Sequence, residues 1–217
     1  MFLIAFGAPG VGKGTQAKIL SQILGIPHIS TGEILREAAK NKIPEVMHAF
    51  EIISKGELFP DELAISIIRK TLSEERCAKG AILDGFPRTV KQAQIFEKLL
   101  AEMNIPDVYL LNFLANEKEL VRRLSDRRTC KACHAIYDVK RIENVHSCPD
   151  CGATDSFYKR AEDDSEEGIK RRMEIFEVTT HPVIDYYSTF RNVINIDSLP
   201  PIEQVTEQVL KELALRK

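Results

Sequence analysis

The chain has 217 residues, 44% of them hydrophobic and 29% charged, with a net charge of −2. That size and balance suit a globular protein with one good core and a small appended unit, and the near-neutral charge excludes the basic excess that nucleic-acid binders carry. No apolar run approaches the roughly 20 residues of a membrane span, and five cysteines in such a chain point to a reducing cytoplasm, where clustered thiols bind metal rather than pair.

In chain order, the opening MFLIAF has no basic flank and runs into a glycine loop, so FLIAF (2–6) predicts a buried strand rather than a targeting signal. GTQAKILSQIL then carries a helical pattern, and PHIS is a second strand candidate. From Ser30 to Pro60 the pattern is helix after helix with no strand. AILD and VYLLNF predict the next two strands, each followed by a helical segment, and VINID predicts the last. Between them lie a polar, cysteine-bearing stretch from Arg128 to Tyr158 and a helical one from Asp163 to Phe190, with a break expected near Pro182. The alternation predicts an α/β fold with a doubly wound parallel sheet, the stretches from Ser30 to Pro60 and from Arg128 to Tyr158 being inserted over one face of the core.

Between the first strand and the first helix stands GAPGVGKGT, Gly7 to Thr15. Gly7, Gly12 and Lys13 match the phosphate-binding loop G-x-x-x-x-G-K-[ST], but Gly14 follows the lysine and the hydroxyl arrives one place late, at Thr15. A glycine loop opening onto a helix N-terminus lets backbone amides approach phosphate oxygens, with Lys13 against the outer phosphates. Gly14 removes the usual hydroxyl ligand of Mg²⁺. The ion would then be held largely through water and substrate, which Mg²⁺ tolerates well.

STGEILR (30–36), LDGFPRTVKQAQ (83–94), RRLSDRR (122–128) and DDSEEGIKRR (163–172) follow that loop in order. Together they resemble the adenylate kinases over essentially the whole chain, in the long-lid form with a zinc site, where Gly then Thr after the loop lysine is the usual arrangement. The resemblance implies a P-loop core over 1–29, 61–126 and 162–217, a helical AMP-binding insertion over 30–60 and a zinc-bearing lid over 127–161. It also implies the reaction ATP + AMP ⇌ 2 ADP with Mg²⁺, a monomer, and ATP, AMP and ADP as partners, with no nucleic acid and no membrane.

Phosphoryl transfer between nucleotides needs no general base, since the acceptor phosphate is mostly dianionic at neutral pH; it needs converging cations. By resemblance these are Lys13, Arg36, Arg88, Arg123, Arg127, Arg160 and Arg172, although one more residue than usual separates Arg160 from Arg172. Lys13, Asp84, Arg88, Arg123, Arg160 and Arg172 are the implied catalytic set, Asp84 ordering water around Mg²⁺ with Glu33 able to reach the same shell. The implied ATP site comprises Gly10, Val11, Gly12, Lys13, Gly14, Thr15, Arg123, Arg127, Ile136, Tyr137 and Pro200. The implied AMP site comprises Thr31, Arg36, Glu57, Leu58, Phe59, Gly85, Phe86, Pro87, Arg88, Gln92, Arg160 and Arg172. Gln92 offers one donor and one acceptor, complementary to the adenine edge. Uridylate or cytidylate kinases are the nearest alternative, but these commonly have a short lid and asparagine-rich variants of this segment.

CKAC (130–133) and CPDC (148–151) place two C-x-x-C pairs on one connecting segment. Four thiolates, Cys130, Cys133, Cys148 and Cys151, saturate tetrahedral Zn²⁺ and leave no open position, which makes the metal structural. His134 and His146 are neighbours the cluster does not need, and Cys77 reads as a lone thiol. A zinc ribbon beside a P-loop could also belong to a nucleic-acid-dependent ATPase, but the flanks lack the interleaved aromatics of a base-stacking platform.

Overall fold

A computed structural model describes residues 1–34, 60–159 and 165–215. In order, the elements are β1 (Phe2–Phe6), α1 (Lys13–Leu24), β2 (His28–Ser30), α2 (Asp61–Leu72), β3 (Ala81–Asp84), α3 (Val90–Glu102), β4 (Val108–Leu114) and α4 (Glu117–Ser125). Then come β5 (Arg127–Cys130), β6 (Ile136–Asp138), β7 (Phe157–Tyr158), α5 (Glu166–Ile175), α6 (His181–Ser188), β8 (Val193–Asp197) and α7 (Ile202–Ala214).

Five strands form one parallel sheet in the order β2-β3-β1-β4-β8. They are the five apolar runs that the sequence predicts as strands. Strand side chains alternate between faces, and here both faces are covered. Leu3 and Ala5 of β1 join Leu20 of α1 and Val209 of α7 in one cluster. Ile4 and Phe6 join Ile68 of α2, Phe96 of α3 and Val183 of α6 in another. A strand buried on both sides has no polar face, which is why FLIAF is continuously apolar, whereas β8, at the edge of the sheet, alternates buried Ile194 and Ile196 with exposed Asn195 and Asp197.

The parallel register sets Ala5 and Ser30 opposite Asp84, so β1, β2 and β3 end side by side. The connection leaving β1 passes over one face as α1, and the one leaving β3 passes over the other as α3. A crevice therefore opens at their carboxyl ends, the position at which doubly wound sheets bind ligands. Thr89, Asn116 and Ser165 cap α3, α4 and α5 by accepting the N–H of Gln92, Glu119 and Gly168, each worth about 1 kcal/mol.

The helical stretch after residue 165 does not break at Pro182. It widens first: Phe176–Thr180 is a π-helical turn, and Pro182 lies in the first turn of α6, where a missing N–H is readily tolerated.

A second, antiparallel sheet, β6-β5-β7, is built from the cysteine-bearing stretch. Its buried residues are Thr129, Cys130, Ala135, Ile142, Cys148 and Ser156, with one edge-to-face ring pair, Tyr137 and Phe157, 5.4 Å apart. Among the described residues, no helix is long and apolar enough to cross a membrane.

Candidate active site and metal centre

The glycine loop joins β1 to α1, whose N-terminus has no side-chain cap. Its first-turn amides are thus left for an anion. The Lys13 ammonium donates to Gly7 O at 2.7 Å and Ala8 O at 3.0 Å, folding back over the loop. Burial lowers its pKa to about 8; Asp84 opposes that shift, while Arg88, Arg172 and Arg127 add to it. Three arginines from three separate segments therefore act on the same enclosed lysine.

Asp84 ends β3 beside this loop. Burial alone would raise its carboxyl, but His28, Lys13 and Arg88 outweigh that and hold it below the usual range, so it is ionised. His28 Nε2 lies 3.4 Å from Asp84 Oδ2, a close polar contact without hydrogen-bond geometry. A Cβ on Gly14 would stand 3.2 Å from that same Oδ2. A side chain at 14 would therefore crowd the Asp84 carboxylate, which would have to shift by a few tenths of an ångström to admit it.

After β3, Gly85 turns with φ of 83°, and a Cβ there would come within 2.9 Å of Thr31 Oγ1 and 3.0 Å of the Arg88 guanidinium. Its carbonyl accepts from both Thr31 Oγ1 (3.0 Å) and Arg88 Nε (2.8 Å). Phe86 and Pro87 are buried beneath this turn. Gln92 is buried as well, and its Oε1 accepts from the backbone N–H of Arg88 at 2.7 Å. One oxygen of the amide thus shapes the arginine loop instead of facing a base. Thr180, from the π-helical turn, donates to Arg88 O at 3.2 Å.

Arg123 of α4 spans two loops, donating to Ser198 O at 2.8 Å and lying 3.4 Å from Val11 O. Its Nε donates to Glu119 at 2.8 Å. Gly10, Gly12 and Thr15 belong to the glycine loop and the start of α1. Pro200 follows Ser198 on the loop leaving β8. Arg127 begins β5, and Arg172 lies on α5. Ile136 and Tyr137 lie on β6, Ile136 exposed and Tyr137 with its hydroxyl 3.3 Å from Cys148 Sγ.

The four cysteines of the C-x-x-C pairs converge, all sulfurs within 4.8 Å of one another. Cys130 and Cys151 are 3.8 Å apart, and Cys133 and Cys148 3.6 Å. A tetrahedral ion with metal–sulfur bonds of about 2.3 Å requires edges of about 3.8 Å, so the cluster fits a closed metal site. Ser156 Oγ lies 3.2 Å from Cys130 Sγ. Burial raises that thiol, but the Ser156 hydroxyl and the backbone amides of Cys133 and Ala132 bring it down to about 6. His134 and His146 are not in the group, and Cys77 is buried elsewhere.

Arg36, Glu57, Leu58, Phe59 and Arg160 lie outside the described residues, as does most of the predicted helical insertion. Sequence reasoning missed His28, Glu119, Ser156 and Thr180. Only Glu119 carried a readable signal, an acid three and four residues before two arginines; the other three contacts come from register or from distant segments.

The sequence model of a family described as adenylate kinase matches residues 5–192. The adenylate kinase of Caldicellulosiruptor saccharolyticus is 42% identical, covering 99% of this chain and 100% of its own. That of Carboxydothermus hydrogenoformans is also 42% identical (98% and 99% covered), and that of Methanocella arvoryzae 41% (100% and 99%). With the glycine loop, the converging cations and the four-cysteine cluster in place, these matches over nearly the full length show that the chain belongs to the adenylate kinase family of phosphotransferases.

Proposed function

We propose that the chain catalyses ATP + AMP ⇌ 2 ADP with Mg²⁺, through a core (1–29, 61–126, 162–217), an AMP-binding insertion (30–60) and a lid (127–161) stabilised by Zn²⁺. The observation that carries this reading is the gathering of Lys13, Asp84, Arg88, Arg127 and Arg172 at one crevice. Two polyanions can meet there only against concentrated positive charge. ATP phosphates take the loop amides and Lys13, with Arg123, Arg127, Ile136, Tyr137 and Pro200 around the rest of the donor. The AMP phosphate takes Arg36, Arg88, Arg160 and Arg172, whose forked donors grip oxygens in pairs. The Nε2 end of Gln92 reads the base, with Thr31 and the 57–59 segment beside it.

The reaction needs no proton removed from the acceptor, because its phosphate is already dianionic near neutral pH. The residues here position the phosphates in line and stabilise the charge that shifts between them. Asp84, ionised and beside the loop, is the oxygen donor that would hold the hydration shell of Mg²⁺, which when bound neutralises the donor phosphates. Cys130, Cys133, Cys148 and Cys151 would hold Zn²⁺, which with four thiolates supplies folding energy and no chemistry.

A coupled assay of ATP–Mg²⁺ with AMP, GMP, CMP and UMP tests the reading, and AMP should be strongly preferred. Gln92→Leu should raise KM for AMP by about tenfold, since it strands polar groups of the base and of the Arg88 loop, while KM for ATP stays within about twofold. Equal turnover of UMP, or an unchanged KM for AMP in the variant, would remove the base-reading role.

A further inference from the structure

We propose that Glu119 is a positioning residue for ATP, acting by fixing the Arg123 guanidinium between the glycine loop and the loop that follows β8. The proposal rests on the reading that Arg123 contacts ATP.

Every nitrogen of Arg123 has a carbonyl or carboxylate partner: Nη1 lies 3.4 Å from Val11 O, Nη2 donates to Ser198 O at 2.8 Å, and Nε donates to Glu119 Oε1 at 2.8 Å. The first two partners are on loops that would receive the nucleotide, and a phosphate or base can take over those donors. The third is on the arginine's own helix, one turn earlier, and persists when the loops move. Glu119 therefore holds the plane of the guanidinium while its outer donors change partners.

The carboxylate is itself held rigidly. Arg122 grips it bidentately, Nη2 to Oε1 at 2.8 Å and Nε to Oε2 at 2.9 Å, and Arg122 is anchored in turn by Asp126 at 3.2 Å and by Asp138 of β6 at 3.1 Å. A forked pairing of this kind fixes orientation as well as distance. The hydrogen bond from Arg122 is the largest influence on the Glu119 carboxyl and, with the lesser help of Arg123, it overcomes burial and holds the group down to about 2, so it stays ionised near neutral pH.

A blander role exists for an acid at the third position of a helix: it can close a capping box or complement the helix dipole. Asn116 already caps α4, its Oδ1 accepting Glu119 N–H at 2.9 Å, and both Glu119 oxygens point to arginines. A capping role predicts lost stability alone. A positioning role predicts a selective loss of ATP affinity that passes through Arg123.

The experiment measures steady-state kinetics and melting of the full chain and of Glu119→Gln, Glu119→Ala, Arg123→Met and the Glu119→Ala/Arg123→Met double variant. Glu119→Ala should raise KM for ATP about fivefold, a modest factor for a partly exposed ion pair, with KM for AMP within about twofold. Glu119→Gln keeps an acceptor for Nε and should fall between Glu119→Ala and the unmodified chain. On the Arg123→Met background, Glu119→Ala should add less than about twofold, as two residues acting as one unit do. A lowered melting temperature with unchanged KM, a rise in both KM values alike, or the full effect persisting without Arg123 would each overturn the proposal. Were Arg123→Met alone to leave KM for ATP unchanged, the ATP-contact reading of Arg123 would fall with it; an impaired Arg123→Met beside a normal Glu119→Ala would sink this proposal only.

Discussion

The five-stranded sheet buries Leu3, Ile4, Leu83, Leu110 and Leu111 between helices on both faces, whereas the three-stranded sheet of residues 127–158 buries Thr129, Cys130, Ala135, Ile142, Cys148 and Ser156. The first set is large and apolar and gains its stability from water. The second has few apolar carbons to hide, two of its six members being thiols that face a common point. A unit of that size cannot close on hydrophobic burial alone, and an ion held by the four converging sulfurs would supply what its side chains lack. Lys13, Asp84 and Arg88 stand at the carboxyl ends of the large sheet's strands, whereas all four clustered cysteines belong to the unit built on the small sheet.

The largest expected effect breaks the chemistry and spares both sheets. Lys13→Ala should cut transfer by about a thousandfold or more, since the only lysine of the glycine loop is lost where charge shifts, while circular dichroism and melting remain near those of the unmodified chain. Substantial turnover in the folded variant would show that the large sheet does not carry the site as described.

Next is the small sheet. Chelating the metal, or changing Cys130 and Cys133 to Ser, should lower the melting temperature by about 10 °C or more, given the several kcal/mol such sites contribute. Turnover at 25 °C should stay within about tenfold. Metal content, melting and turnover on one preparation decide it: immediate loss of all activity with an unchanged melt would place the metal in the chemistry.

A comparable injury to the large sheet should look different. Leu110→Ala removes a fully buried side chain, costs about 3 kcal/mol, and should lower melting by roughly 6–12 °C. Chelation should add its own decrement on top, because the two sheets are held independently. A chelator that has no further effect on Leu110→Ala would mean one cooperative source of stability rather than two.

The smallest effect is a pH profile. Lys13 has a pKa lowered to about 8, chiefly by burial, so it loses its proton as pH rises through that value. kcat/KM for ATP, which reports the free enzyme, should fall about tenfold from pH 7 to pH 9. kcat should fall less, since bound phosphates favour the charged lysine. A profile flat to pH 9.5 would exclude Lys13 as the group that titrates.

Where single side chains along the strand are concerned, the sequence was a sufficient guide. Strands buried on both faces must be continuously apolar, so FLIAF and the first three residues of AILD announced themselves, while VINID, at the sheet edge, alternates buried Ile194 and Ile196 with exposed Asn195 and Asp197. The parallel sheet followed from apolar runs alternating with helices. The paired C-x-x-C spacing announced the four-cysteine cluster for a similar reason: four thiols within short loops leave little freedom in how they meet. Pro182 misled because a proline in a helix's first turn costs nothing, and whether it begins a helix or breaks one depends on the turn before it.

Contacts between segments far apart in sequence were decided by tertiary structure alone. Gly14 shows this best, since its spacing places it in a phosphate loop but its close neighbour is Asp84, seventy residues later and brought alongside by the register of β1 with β3. The same register, with that of β2, sets His28 against Asp84, and the return of the chain after β8 brings Ser198 to Arg123. Composition and periodicity determine which residues leave water, because burial is a property each side chain carries wherever it sits. Which charges face one another is a property of pairs, and no single position in the chain holds it; only the packed sheet, with its strands brought into parallel order, does.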